Sequence, residues 1–186
     1  LKSFFPATER PLIVANIGGF SMDKPFERQE KVDRYKIFCD SLSALDLSGV
    51  ELIPQTMAPF PWHFGGQRFQ NLFVFEEEIL EWANNLNLRF CLDVSHSALA
   101  CNHFDRDFYE FISVVAPFSA HIHMGDARGV NGEGLQIGHG EICFEKLCKL
   151  LREKCPDASF IPEIWQGHKD NGSGFWNALN SLDGML

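Results

Sequence analysis

Polar residues stand where the short apolar runs of the chain end: Asn16, Gln55, Asp93 with His96, His123 with Asp126, and Glu163. Asp93 and Glu163 offer hard carboxylate oxygens, His123 an imidazole nitrogen and Gln55 an amide oxygen, each from a different run. That donor mix suits one divalent cation, with Mn²⁺, Mg²⁺, Co²⁺ and Zn²⁺ all compatible. A lone strand-end Asp ordinarily caps the helix that follows it. Several separate runs that all end in ligand-capable groups point instead to one shared site.

His96 follows Asp93 by three residues, within reach of the same site, or else caps the next segment. His121 and His123 share a strand parity, so both can face inward. His123 lies nearer the end of its run and is the better ligand; His121 reads as a hydrogen-bonded core histidine. His63 and His168 are loop residues able to contact a substrate, whereas His103 and His139 read as solvent-exposed. The stretch Pro59 to Gly66 is stiffened by two prolines and carries Trp62. Its aromatic faces could stack on a sugar ring or a base, or simply pack at the mouth of the fold. Lys24, Arg68 and Arg128 are loop cations suited to a phosphate or carboxylate, Arg128 being nearest the His123–Asp126 turn.

The elements that must position these groups alternate. Apolar runs at 12–17, 50–55, 90–94, 120–124 and 159–164 read as strands. Helical spacing marks 25–45, 76–86, 104–115, 142–154 and 174–182. Between them lie a Pro- and aromatic-rich loop over 56–70 and a Gly-rich loop over 125–140, with one irregular strand near Leu135. Strands alternating with helices predict a parallel sheet with right-handed crossovers. No GxGxxG or phosphate loop follows the first strand, where Gly18-Gly19-Phe20-Ser21 stands instead. An open doubly wound sheet is therefore disfavoured against a (β/α) barrel, whose strand ends converge on one point.

The 186 residues fit a single domain spanning 1–186, and a formal charge of −9 disfavours a nucleic-acid partner. No apolar run approaches the roughly 18 residues of a membrane span, and Leu1 opens no signal-peptide pattern. The six cysteines form no CxxC pair. Cys91, Cys143 and Cys148 lie in apolar segments and read as buried free thiols, which fits a reducing cytoplasm.

Four segments together resemble the successive motifs of the xylose isomerase-like TIM barrel superfamily. They are Leu92–His96, His121–Gly129, Gly132–Gly138 and Ile161–Glu163. That group holds sugar and sugar-phosphate isomerases and epimerases, hydroxypyruvate isomerase, inosose dehydratase and endonuclease IV. The Pro59–Gly66 loop further resembles a barrel attached to sialic acid synthase-type proteins. The resemblance implies metal ligands at Asp93, His123 and Glu163, with Gln55 completing or bordering the site. It also implies substrate contact by His96 and a proton-transferring role for Glu163.

Three departures qualify these expectations. Gln55 stands where the family carries a second glutamate, and an amide cannot take a proton at neutral pH. Glu51 shares its parity but should lie deeper. Asn16 stands where a three-metal nuclease would place a histidine, and the Gly-rich loop lacks an Asp-x-His pair. The chain also shows five clear strands where a barrel has eight, at a typical length of about 250 residues. The expected fold is thus a TIM barrel lacking its N-terminal two βα units, with open edges that favour a homo-oligomer. The expected function is metal-dependent isomerisation or epimerisation of a small sugar or sugar phosphate, with Asn16, Trp62, His63, Arg128 and His168 as further substrate contacts. The alternatives are a catalytically degenerate carbohydrate-binding or regulatory barrel and a metal-dependent phosphodiesterase.

Overall fold

The computed structural model describes residues 10–63 and 66–185, and the side chains of Trp62 and His63 lie outside that description. Strand β1 (Leu12–Ala15) is followed by the short β2 (Phe20–Ser21) and by helix α1 (Arg28–Ala44). The helix starts later than its spacing suggests because Glu27 forms a capping box with Glu30, its N–H donating to the Glu30 carboxylate at 2.8 Å. Strand β3 (Glu51–Pro54) pairs in parallel with β1, and Gln55 extends it as a bridge to Cys91. The Pro- and aromatic-rich stretch, expected as a loop, folds into β4 (Trp62–His63), β5 (Gly66–Gln67) and β6 (Phe69–Gln70). Strands β4 and β5 pair with each other, while β6 pairs with β2.

Helix α2 (Glu76–Leu86) carries three glutamates in its first turn, where the helix dipole favours them. Strand β7 (Phe90–Asp93) then runs directly into α3 (Val94–Phe104). This helix corrects the sequence reading, which began a single helix at Phe104. Val94 to Cys101 are all buried, so the segment carries no polar stripe to reveal its period. Asp105 takes a left-handed conformation (φ 54°), and a separate helix, α4 (Phe108–Val115), begins behind the cap Asp107.

The remaining elements are β8 (Ser119–Met124), β9 (Asp126–Arg128), β10 (Gly132–Leu135), α5 (Phe144–Lys154), β11 (Ser159–Pro162) and α6 (Lys169–Leu182). Strands β9 and β10 form a hairpin inside the Gly-rich region, so the irregular strand near Leu135 exists and has a partner. Helix α6 is broken at 170–172, where Asp170, Asn171 and Gly172 have positive φ.

Strand β8 lies between β7 and β11, both parallel to it, and the Gln55 bridge joins this sheet to the β1–β3 pair. The strands therefore follow one another in chain order, β1, β3, β7, β8, β11, as one wall of a TIM barrel. Alternate residues face opposite sides. Phe90, Leu92, Ile122 and Met124 meet Ile79, Ile112, Val115 and Leu147 of the helices in the main core. Ile53, Cys91 and Ala120 form a separate cluster with Leu12 and Val14. Cys91 and Cys148 are buried free thiols, but Cys143 is exposed because it occupies the N-cap of α5. No helix among the described residues is long and apolar enough to cross a membrane.

Candidate metal centre

The sheet register builds the site. Asp93, the last residue of β7, is paired with His123 of β8, and His123 is paired with Ile161 of β11. Glu163 stands two residues beyond Ile161 and so returns to the same face. One ligand atom from each of Asp93, His123 and Glu163 lies within 4.8 Å of the others. His123 Nδ1 is 2.5 Å from Glu163 Oε2 and 3.8 Å from Asp93 Oδ2. Although it is so close to a carboxylate, the buried Nδ1 has no properly aligned hydrogen-bond partner. Two carboxylates converging on an imidazole nitrogen left in this way fit one divalent cation.

Asp93 is 2% exposed and is held on every side. Its backbone N–H donates to Thr56 Oγ1 at 2.9 Å, and Ser97 Oγ donates to its carbonyl at 2.7 Å. Its carboxylate accepts the backbone N–H of His96 at 2.9 Å, so it caps α3 while facing the site. Burial opposes its ionised form, but the neighbouring His96 and His123 hold its carboxyl below the usual range. His123 is pushed the other way. Burial alone would lower it, yet Asp93, Cys91 and Glu163 raise it to about 12. The site thus wants positive charge between its carboxylates.

His96, on the first turn of α3, is buried with both ring nitrogens engaged. Nδ1 lies 3.0 Å from the Thr56 carbonyl and 3.2 Å from Asp93 Oδ2, and Nε2 lies 3.1 Å from Glu133 Oε1. Nδ1 therefore carries a hydrogen, because the Thr56 carbonyl can only accept. Burial works to lower His96, but Asp93 and Glu133 raise it to about 9. Gln55 is buried beside the pair, its Nε2 donating to Asp93 Oδ2 at 2.6 Å.

The other expected residues are more scattered. Arg128 gives Nη2 to the His139 carbonyl, bracing its own hairpin. Asn16 is exposed just beyond β1, and His168 is exposed at the start of α6. Trp62 and His63 lie in β4, but their side chains fall outside the described residues. His121 is hydrogen-bonded, Nδ1 to Ser159 Oγ at 2.7 Å, although it is only half-buried. His103 and His139 are exposed, as expected.

Sequence reasoning gave no role to Glu133 and Trp165. A cavity of about 170 Å³ is lined by Asp93, Ser95, His96, Glu133, Glu163 and Trp165, among others. Glu133 and Trp165 also line a second cavity of about 400 Å³. The clue to Glu133 was its setting between Gly132 and Gly134. Gly134 takes φ 61°, and its carbonyl accepts the Trp165 N–H at 2.7 Å, which draws β10 against the end of β11. Ser95 Oγ accepts the Gly134 N–H at 2.8 Å and ties the same strand to α3.

A model of the xylose isomerase-like TIM barrel family matches residues 12–182. No curated protein sequence matches the chain significantly. Among solved structures, a D-tagatose 3-epimerase-like protein superposes with a TM-score of 0.70 at 19% identity, covering 95% of this chain and 62% of that one. An L-ribulose 3-epimerase superposes at 0.68 and 14% identity, covering 95% and 61%. A D-psicose 3-epimerase from Clostridium cellulolyticum H10, solved with D-tagatose, superposes at 0.62 and 15%, covering 93% and 62%. These likenesses show the fold. The chain spans about three fifths of the length of those structures.

Proposed function

The chain belongs to the xylose isomerase-like TIM barrel family, and from that premise we propose that it is a metal-dependent sugar or sugar-phosphate isomerase or epimerase. The observation that carries this reading is the convergence of Asp93, His123 and Glu163 within 4.8 Å around an imidazole nitrogen without an aligned partner. A divalent cation held there, with Gln55 at its border, would polarise a substrate carbonyl and stabilise the enediolate.

The chain's own residues supply the rest. Glu163 has a side chain that is 53% exposed and lines the cavity, so its carboxylate can reach a carbon beside that carbonyl and take its proton. Asp93 stays ionised through its hydrogen bonds and fixes α3, which sets the position of His96 at the cavity wall. A cavity of about 170 Å³ suits a small hydroxy-carbonyl compound. The three structural relatives described above are named for ketose epimerisation, which supports a sugar as the substrate class. The Pro59–Gly66 loop supports the narrower kinship with a barrel attached to sialic acid synthase-type proteins. Arg128, Asn16, Trp62, His63 and His168 complete the proposed substrate contacts. The cysteines are free thiols, which supports a reducing, cytoplasmic setting.

Gln55 favours a second reading, a barrel that binds a carbohydrate but has lost proton transfer. Two measurements separate the readings: manganese content per chain after dialysis, for the parent and Asp93→Ala, and deuterium uptake from solvent into ketoses. The isomerase reading expects about one ion in the parent, none in the variant, and uptake at a carbon next to the carbonyl. Metal or sugar binding without uptake supports the binding barrel.

A further inference from the structure

Inverting a carbon beside a carbonyl takes two proton carriers. The proton leaves one face of the planar enediolate, and another must arrive on the opposite face. Glu163 is one carrier in the reading above. Gln55 cannot be the other, since its amide neither takes nor gives a proton at neutral pH. Glu51, on the same strand, is clamped by Arg89 through bonds of 2.8 and 2.7 Å, about 13 Å down the strand. Asp126 is fully buried, with its oxygens accepting four backbone N–H groups.

We propose that Glu133 is the second proton carrier of this site. The inference rests on the isomerase or epimerase reading and assigns the half of the chemistry that Gln55 leaves open. Glu133 lines the same cavity as Asp93, His96 and Glu163. Its side chain is 29% exposed, so it can meet a substrate. His96 is its positioning residue: Nε2 holds Oε1 at 3.1 Å, on an imidazole itself fixed by Thr56. The strand beneath is pinned by Ser95 and Trp165.

In one direction Glu163 takes the C–H proton, and the electron pair of that bond moves into the enediolate. Glu133 takes up a proton from water in the open cavity and gives it to the opposite face of the same carbon. The reverse reaction exchanges the two roles. Each turnover leaves Glu133 ionised, as it began, and Glu163 protonated, and loss of that proton to water through the open cavity restores the site.

The test uses the manganese-loaded chain in deuterium oxide, with D-tagatose, D-allulose, L-ribulose and their C3 epimers as probes, followed by proton NMR. The parent is expected to exchange the C3 hydrogen of both members of one pair and to interconvert them. Glu133→Gln is expected to bind manganese with the parent's stoichiometry and to keep exchange from one epimer within about threefold. It should lose exchange from the other epimer, and interconversion, by about a hundredfold or more. Glu163→Gln should show the opposite preference. Interconversion by Glu133→Gln within about threefold of the parent overturns the assignment and leaves the proposed function standing. Absence of exchange in the parent with every probe overturns the proposed function, and the assignment with it. Should Glu133→Gln also lose manganese, Glu133→Ala in formate decides. Regained interconversion supports the assignment, and none overturns it.

Discussion

Gln55 donates its side-chain N–H to Asp93 Oδ2 at 2.6 Å, with both residues buried. A neutral donor here lets Asp93 stay ionised without a second negative charge against it. The same bond fixes which end of the amide meets the carboxylate, since an amide oxygen in that place would be repelled. The residue that makes two-glutamate chemistry doubtful is thus also one that holds a proposed metal ligand in place.

Gln55→Glu should therefore act in opposite senses with and without metal. In the metal-free chain a second carboxylate against Asp93 costs about 1–3 kcal/mol or takes up a proton. With manganese the added charge tightens binding by about tenfold. Thermal unfolding with and without manganese checks this: the variant should start lower and gain more. Added deuterium uptake into a ketose would further show that the amide limits proton transfer.

The metal-free chain should lose stability as pH rises. His96 is raised to about 9 by Asp93 and Glu133, against burial, and His123 to about 12 by Asp93, Cys91 and Glu163, also against burial. Both folded values exceed the ordinary histidine value near 6.5, so the folded chain holds protons that the unfolded chain has released. Their stabilisation is fully present below pH 6.5. It is lost as pH rises through about 9 for His96 and toward about 12 for His123. In EDTA, Tm should fall by about 10 °C or more between pH 6.5 and 9.5. Manganese needs neutral His123, so it should bind more tightly at the higher pH and flatten that fall.

Much of this arrangement is legible in the sequence because it follows strand parity. Asp93, His123 and Glu163 end apolar runs, and the pairing of Asp93 with His123 follows once the runs are parallel neighbours. Helix α3 was not legible, because Val94 to Cys101 are buried on every side, which erases the amphipathic signal over most of its length. Glu133 was hidden for another reason. Its distance from His96 depends on a hairpin whose shape is set by Asp126, thirty residues along the chain from His96, and Gly-rich periodicity says nothing about where such a hairpin leans.

In the isolated 186-residue chain, strand β11 should drive self-association. It pairs with β8 on one side, and no strand among the described residues covers its other side. Phe160 and Ile161 on it are 37% and 45% exposed. Exposed apolar edges template further pairing. Sedimentation velocity should show the average mass rising between about 1 and 100 μM, a range in which weak edge contacts become populated. A monomer throughout, with a sharp thermal transition, would sink this expectation.

Asp126→Ala should loosen the hairpin that carries Glu133. Asp126 is fully buried, and its carboxylate accepts the N–H groups of Ala127, Gly138, Gly140 and Ile142 at 2.8, 3.0, 2.7 and 3.2 Å. Gly140 must be glycine for this, because a Cβ there would fall 2.2 Å from Asp126 Oδ1. Removing the carboxylate leaves four amides to find water or stay unpaired, at about 1 kcal/mol or more each before relaxation. Water entering the hairpin recovers part of that, so urea unfolding should show a loss of about 3 kcal/mol. Asp126→Asn keeps one acceptor oxygen and should lose about half as much. Hydrogen exchange gives the local readout: the Gly138 and Gly140 amides should exchange about a hundredfold faster in the alanine variant, while the Leu92 amide in β7 follows only the change in global stability. Unchanged exchange at both glycines would mean that β9 and β10 hold their shape through the Ser95 and Trp165 contacts instead.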